Sequence, residues 1–270
     1  MTKTIFVTGG SGVWDVFLAW VLADAGHTVY VGENHSDPGL SPVNAVTGND
    51  TRVRTIPYES VDQQSITAAV QRVVAEAGTI DVLIHLTTPV TFGPAESFTP
   101  YQLGQVYDLA VLSAQRVLRA VLPLMRERQD GLLIWTGPGI EPGPASFSGP
   151  GRAVRAGQLQ LVESYAVELA PFGIDVTFLT YEPGNFEGHG APAPLKPDDT
   201  TIAQAYGNPL AAPLRKSAGD PPAPVARAME VADSVVGIVE ARSGARPVHL
   251  ALWKPSQQQQ QQQQQPTDQE

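Results

Sequence analysis

Short apolar runs alternate with longer stretches of helical periodicity along most of this chain, and this alternation predicts an α/β fold with a doubly wound parallel sheet. Two further observations favour that class. A glycine-rich turn joins the first apolar run to the first helical stretch, and Gly26 follows that stretch as a natural C-cap. We therefore expect a single domain of three layers, with helices on both faces of one sheet.

The elements follow from the periodicity in chain order. Strands are predicted at about residues 4–8, 28–32, 52–57, 80–86, 131–136, 174–181 and 246–252. Helices are predicted between them, at roughly 14–25, 63–77, 100–127, 152–171 and 226–241. Residues 183–225 break the alternation because they are rich in Pro, Gly and Ala, which is typical of a substrate lid.

Composition limits the domain count and the classes of partner. The 270 residues are 42% hydrophobic, which suffices for one large domain, predicted at 1–255. The remaining tail, 256–270, contains the glutamine run Gln257–Gln265 and is predicted to be disordered. A net charge of −10 disfavours nucleic acid and anionic membranes, and the absence of cysteine excludes thiol nucleophiles. Since Met1–Thr4 enters a strand directly, no signal peptide or spanning segment is expected, and the predicted location is cytoplasmic.

The first turn has the context that a phosphate-cradling loop requires: a strand, a glycine-rich turn and a helix. It reads Thr8-Gly9-Gly10-Ser11-Gly12-Val13-Trp14-Asp15. Asp15 places a carboxylate near the expected phosphates, and two like charges ~4 Å apart at an effective dielectric of ~20 repel by about 4 kcal/mol. The alternative is that Asp15 caps the helix and favours its dipole. Both interpretations argue against ordinary cofactor binding.

This spacing resembles the short-chain dehydrogenase/reductase family, whose later glycines would fall on Val13 and Asp15. Further landmarks over about residues 4–185 match the same family: Asp81–Ile84, Leu122–Pro123, Val167–Ile174 and Pro183–Gly184. The resemblance implies a Rossmann-like sheet. It also implies a homodimer or homotetramer formed through helices 100–127 and 152–171.

The catalytic pattern of that family does not match this chain. Its Tyr-x-x-x-Lys pair falls on Gly151 and Arg155, its serine falls on Pro138, and its helix-four asparagine falls near Ala110. The arginine is similar to that of halohydrin dehalogenases, which are relatives with a non-redox use of the fold. Loss of these groups together points to a changed function.

Four residues are candidates for a replacement chemistry: His85, Arg155, Thr136 and Glu182. His85 is a general acid or base near neutral pH, or else a structural substitute for the missing asparagine. Arg155 binds an anion as a fixed charge, or forms a surface salt bridge. Thr136 donates to a substrate oxygen or is structural, and Glu182 is a base if it is buried.

Further polar and aromatic residues follow the predicted strands, where ligands of open parallel sheets bind. The candidate substrate-binding residues are Trp14, Asp15, Thr87, Trp135, Tyr181, Asn185 and His189. If a nicotinamide nucleotide binds at all, Gly9, Gly12 and Glu33 would hold it, with Glu33 on the ribose hydroxyls. The five histidines show no ligand-like spacing, so no metal site is expected.

These observations support three hypotheses. The leading one is a cofactor-independent, non-redox enzyme acting on a small organic molecule by cyclisation, isomerisation or elimination, of the kind used in natural-product biosynthesis. The second is an NAD(P)-dependent oxidoreductase with displaced catalytic groups. The third is a catalytically inactive member that binds a ligand or a partner.

Overall fold

We describe a computed structural model of the chain, over residues 1–9, 13–34, 51–86, 91–138, 147–181, 195–207 and 224–252. The strands are β1 Thr4–Thr8, β2 Thr28–Asn34, β3 Val53–Tyr58, β4 Val82–Leu86, β5 Gly131–Pro138, β6 Ile174–Tyr181 and β7 His249–Ala251. The helices are α1 Val13–Asp24, α2 Gln63–Ala77, α3 Pro100–Tyr107, α4 Ser113–Arg128, α5 Gly149–Leu169, α6 Thr200–Ala205 and α7 Pro224–Glu240.

The described strands form one seven-stranded sheet in the order β3-β2-β1-β4-β5-β6-β7. Each neighbouring pair is parallel. The order reverses between β1 and β4, and such a switch point opens a crevice at the carboxyl ends of the strands. The fold predicted from the sequence is therefore confirmed: a doubly wound parallel sheet, Rossmann-like, in one domain.

Two apolar cores lie on the two faces of the sheet. One packs α1 and α7 against the sheet, with Leu22 and Val235 fully buried. The other packs α2, α4 and α5 against the opposite face, with Val73 and Val117 fully buried. Because strand side chains alternate between faces, both cores require apolar residues along almost the whole of the central strands. β1, for example, is buried along its entire length.

Local signals fix where the helices begin and end. The carboxylate of Asp62 accepts a hydrogen bond from Gln64 N at the start of α2, and Gly78 ends that helix at φ 81°. Thr99 and Gln102 form a reciprocal capping box at the start of α3. Such caps are readable in the sequence, and the predicted helix bounds accordingly lie within a few residues of those observed.

The predicted helix 100–127 is interrupted. Residues Asp108–Leu112 form a π-turn, in which Ser113 N donates to Asp108 O five residues back. Hydrophobic periodicity does not reveal such a turn, because the apolar face continues through it. π-turns occur frequently at functional sites.

The described part of the predicted lid, residues 195–207, packs on the segment that precedes α3. Thr91 and Leu195 form a parallel bridge, and Gln102 Nε2 donates to Lys196 O at 3.0 Å. Tyr206 Oη donates to Glu96 Oε2 at 2.6 Å. The rest of 183–225 and the tail 256–270 lie outside the described residues. Among the described helices, none is long and apolar enough to cross a membrane.

Candidate functional site

The crevice has two halves, each bounded by three strand ends. We call the carboxyl ends of β1, β2 and β3 the β1–β3 half. We call the ends of β4, β5 and β6, together with the start of α5, the β4–β6 half. The halves meet where Thr8, the last residue of β1, pairs with His85 of β4.

Gly9 begins the loop after β1 and has φ 78°. A Cβ at this position would lie 2.5 Å from Leu86 O and 2.8 Å from His85 Cε1. Glycine is therefore required twice, by the left-handed backbone and by the close approach of β4. Gly12, the other glycine expected to hold a nucleotide, lies outside the described residues.

Glu33 lies next to the end of β2 and is partly exposed. The preceding Gly32 packs on the ring of Tyr58, since a Cβ there would come within 3.2 Å of that ring. Tyr58 is 1% exposed, and burial raises the pKa of its hydroxyl. The β1–β3 half thus combines a tight glycine turn with an acidic residue at the next strand end.

Asp15 and Trp14 lie in the first turn of α1. Asp15 is only 8% exposed and is engaged in a contact within the chain. A carboxylate in this turn stabilises the helix dipole. Trp14 is partly buried, packs on the core of that face, and its ring lies 6.1 Å from that of Phe17.

His85 is buried and hydrogen-bonded at both ring nitrogens. Its Nδ1 lies 2.9 Å from Thr8 Oγ1 and its Nε2 lies 3.2 Å from Ser113 Oγ. Burial lowers the pKa of His85 to about 3, so the ring is neutral near pH 7. This geometry favours the structural interpretation of His85 over the acid–base one.

The π-turn supplies two carbonyls to side chains. Ser113 Oγ donates to Leu109 O at 2.5 Å, and Gln158 Nε2 on α5 donates to Ala110 O at 2.7 Å. Sequence reasoning missed both Ser113 and Gln158. The only available signal was the position of Ala110, which matches the asparagine of the family.

Arg155 lies on α5, and its side chain packs into the β4–β6 half. Its guanidinium stacks 4.4 Å from the ring centroid of Phe178, and Nη1 donates to Gln158 Oε1 at 3.0 Å. A Cβ on Gly137 would collide with the same guanidinium. Burial lowers the pKa of Arg155 to about 10, opposed by its attraction to Tyr181, so the group stays charged near pH 7. A surface salt bridge is excluded because Arg155 is 7% exposed.

Three predicted residues lie on β5 and β6. Thr136 is 1% exposed, and Tyr181, the last residue of β6, is 6% exposed and pairs with Pro138. Trp135 is 3% exposed, and its ring lies 6.2 Å from that of His85. Trp135 thus belongs to the apolar core on the α5 face of the sheet, and its predicted contact with a substrate stays a prediction.

Gly151, which matches the tyrosine of the family, is covered by the segment before α3. Its backbone N donates to Thr91 Oγ1 at 2.9 Å, and Gly93 N donates to Phe147 O at 2.8 Å. Thr91 is 3% exposed. Sequence reasoning missed Thr91, because it reaches α5 across 60 residues.

Some predicted residues cannot be placed. Thr87, Glu182, Asn185 and His189 all lie outside the described residues. The roles assigned to these four residues therefore stay predictions.

Within the described ranges, no group of three or more histidine, aspartate or glutamate side chains could hold a metal ion.

Comparison with known proteins gives a family. The family model described as short chain dehydrogenase matches residues 3–190. Cyclopentanol dehydrogenase from Comamonas sp. (strain NCIMB 9872) is 25% identical over 178 residues, which are 64% of this chain and 70% of the relative.

Solved structures share the fold. A short-chain dehydrogenase from Streptomyces avermitilis superposes with a TM-score of 0.73 at 23% identity, over 94% of this chain and 89% of the other. An alcohol dehydrogenase from the archaeon Thermococcus sibiricus, complexed with 5-hydroxy-NADP, has a TM-score of 0.69 at 16% identity, over 94% and 99% of the two chains.

These findings overturn one expectation from the sequence. The prediction of no cofactor is wrong, because the family model that matches residues 3–190 is that of short chain dehydrogenases and the named relative is a dehydrogenase. The expectation rested on Val13 and Asp15 standing in place of glycines. Asp15 lies in the first turn of α1 and is 8% exposed.

Four observations point to the same family. They are the glycine turn after β1, the acidic residue at the end of β2, the reversal of strand order between β1 and β4, and the family match over residues 3–190. This chain belongs to the short-chain dehydrogenase/reductase family.

Proposed function

We propose that this chain is an oxidoreductase that interconverts an alcohol and a carbonyl group on a small organic molecule, with NAD(H) as its nucleotide. The family and its dehydrogenase relative support the reaction class. The non-redox cyclisation or isomerisation expected from the sequence gains no support from them. The cytoplasmic location stays a prediction.

One observation carries the choice of nucleotide: Glu33 at the end of β2, beside the turn at Gly9. An acidic residue here accepts hydrogen bonds from both ribose hydroxyls of NAD, whereas the 2′-phosphate of NADP would meet a like charge. The β1–β3 half fits the nucleotide, since a side chain at position 9 would fill its glycine turn.

In this proposal a bound nicotinamide supplies or accepts the hydride. The chain has to bind the nucleotide, orient the substrate and move one proton. Arg155 contributes a fixed positive charge at the β4–β6 half. We propose His85 as a structural residue that holds β1, β4 and α4 together through Thr8 and Ser113.

Calorimetric titration with NADH and NADPH tests the nucleotide. We expect NADH to bind at least about tenfold more tightly than NADPH. The charge of the residue at the end of β2 decides between the two nucleotides, and one such charge contact contributes about 1.4 kcal/mol or more, which is tenfold in affinity. Glu33→Arg should reverse the preference, while Glu230→Gln, at an exposed carboxylate of α7, should leave it unchanged. Absence of saturable binding of either nucleotide at millimolar concentration would overturn the proposal.

A second candidate is a nucleotide-binding member without turnover. Gly151 and Pro138 favour it, since neither carries a hydroxyl where the family has its tyrosine and serine. The two candidates separate when wild-type protein and NADH are incubated with a panel of small cyclic and acyclic ketones. Oxidation of NADH with any ketone supports the first candidate, and binding without oxidation supports the second.

We also propose a homodimer or homotetramer formed through helices 100–127 and 152–171. Tyr107, Leu109 and Leu112 are each at least 39% exposed on this side of the molecule. Beside them α4 and α5 line a groove of about 280 Å³. Leu112→Glu should lower the mass measured by light scattering. An unchanged mass, or a monomeric wild type, would contradict this assembly.

A further inference from the structure

Three buried side chains form a row of hydrogen bonds from the end of β1 to the π-turn. Thr8 ends β1, His85 lies beside it on β4, and Ser113 begins α4. They are 1%, 3% and 0% exposed. Thr8 Oγ1 lies 2.9 Å from His85 Nδ1, and His85 Nε2 lies 3.2 Å from Ser113 Oγ. We call these three residues the His85 relay.

Ser113 gives the His85 relay a direction. Its hydroxyl has one proton, which it donates to Leu109 O at 2.5 Å. Towards His85 the Ser113 oxygen can therefore only accept, so Nε2 carries the single proton of the neutral ring. Nδ1 is then the acceptor, and the hydroxyl of Thr8 donates to it. All three protons thus point from β1 towards the π-turn.

The π-turn makes this arrangement possible. In a regular α-helix, Ser113 N would donate to Leu109 O, four residues back. Here Ser113 N donates to Asp108 O, five residues back. The hydroxyl of Ser113 takes Leu109 O in its place. The irregular turn therefore commits the serine proton and leaves the serine oxygen as an acceptor for the histidine.

The other end of the His85 relay bears on the glycine turn. Gly9 follows Thr8, and its backbone lies against the imidazole. A Cβ on Gly9 would be 2.8 Å from His85 Cε1 and 3.1 Å from Nδ1. A tilt of the ring would therefore displace Gly9 or break the bond from Thr8. Because a turn of this kind binds a pyrophosphate through its closely approaching backbone, its shape decides the affinity.

We propose that Ser113 and His85 are positioning residues for the nucleotide. By holding the ring as its Nε2–H tautomer, Ser113 keeps the turn at Gly9 in the shape that binds the pyrophosphate. Both residues act through Thr8 and Gly9. This inference rests on the proposed use of NAD(H). It goes beyond a role in holding the fold together, because it makes nucleotide affinity depend on a hydroxyl of α4.

The tautomer is tested without nucleotide, by nitrogen NMR of protein with isotope-labelled histidine near pH 7. The signals that disappear in His85→Asn belong to His85. We expect Nε2–H in the wild type and in Ser113→Thr, which keeps the hydroxyl. Ser113→Ala removes the acceptor, so the proton should move to Nδ1, where Thr8 Oγ1 can accept it. Nδ1–H in the wild type, or Nε2–H retained in Ser113→Ala, would overturn the inference.

Calorimetric titration with NADH tests the positioning. Ser113→Ala should bind NADH about fivefold or more weakly than the wild type, a usual size for a residue that acts without touching the ligand. Ser113→Thr should stay within about twofold. Ser234→Ala is the matched control, since Ser234 Oγ on α7 also donates to a carbonyl four residues back, Glu230 O at 2.8 Å, but on the other face of the sheet. It should bind NADH as the wild type does.

The other end of the relay provides a second pair of variants if Ser113→Ala does not fold. Thr8→Val removes the donor to Nδ1 and should weaken NADH binding, whereas Thr8→Ser keeps the donor and should bind within about twofold of the wild type.

A purely structural role predicts a different result. If Ser113→Ala and Thr8→Val lose stability in denaturant titration but bind NADH as tightly as the wild type, the relay only supports the fold. The inference would then fail while the proposed function stands. Absence of NADH binding by the wild type would instead remove the proposed function, and this inference with it.

Discussion

In the β1–β3 half of the crevice, Gly9 and Glu33 lie where the family pattern needs a tight turn and an acidic residue. In the β4–β6 half, Gly151 and Pro138 replace the reacting hydroxyls. Buried side chains also fill that half, with Arg155 packed against Gly137 and Phe178. The difference teaches that a chain can keep the family's turn and acidic strand end while it loses the family's reacting hydroxyls, because different parts of the crevice carry these two sets of residues.

Among the substitutions measured at neutral pH, Gly9 gives the largest expected effect, and it tests the β1–β3 half. Gly9→Ala combines a left-handed backbone with a Cβ 2.5 Å from Leu86 O, so we expect a loss of about 3 kcal/mol in unfolding free energy, measured by denaturant titration. Gly26→Ala is the matched control: φ is 94°, but nothing lies within 4 Å, so only about 1 kcal/mol should be lost. Equal losses would show that the close approach of β4 does not matter.

Gly137 and Arg155 test the packing of the β4–β6 half. Gly137→Ala alone should cost about 2 kcal/mol by overpacking against the guanidinium. In an Arg155→Ala background the same substitution should cost little, giving a coupling of about 1–2 kcal/mol in a double-mutant cycle. Additive effects would mean that the guanidinium moves away at no cost in free energy and does not limit the space beside Gly137.

His85 lies at the junction of the halves and predicts a pH dependence. The folded state holds it neutral down to pH about 3, whereas the unfolded state binds a proton near its ordinary pKa of 6.5. The unfolded state therefore binds more protons between these values, and stability is lost as the pH falls through this window, by at most about 1.4 kcal/mol per pH unit.

His85→Asn keeps a hydrogen-bonding group but removes this titration, so the acid loss measured by thermal unfolding should become shallower. The exposed His249 provides the control, and His249→Asn should follow the wild-type curve more closely. If His85→Asn loses as much stability at low pH as the wild type, burial does not hold the His85 ring neutral in the folded state.

Thr91 gives the smallest expected effect and tests the cover over Gly151. Thr91→Val removes the hydroxyl that accepts from Gly151 N and should cost about 1 kcal/mol, the typical net value of one hydrogen bond. Thr67→Val on α2 is the same change at a hydroxyl that donates to a helical carbonyl, Gln63 O, and should cost less. If Thr91→Val leaves the free energy of unfolding unchanged, the N-terminus of α5 does not need this hydrogen bond.

The sequence by itself determined the fold class and, within a few residues, the bounds of most helices and strands, because hydrophobic periodicity acts over a few positions. It also located the glycine turn and Glu33, which lie within or directly after single strands. Asp15 shows the limit of the same reasoning, since a charge in a motif does not reveal whether it is buried.

Only the tertiary structure decided which groups meet. His85 bonds Thr8 and Ser113 across 77 and 28 residues, and Gln158 reaches Ala110 across 48. The π-turn, the guanidinium on Gly137 and the Thr91 contact to Gly151 likewise depend on parallel strands and helices packing side by side. Burial then sets the protonation of His85 and the charge of Arg155, because desolvation is a property of the assembled core and not of neighbours in the chain.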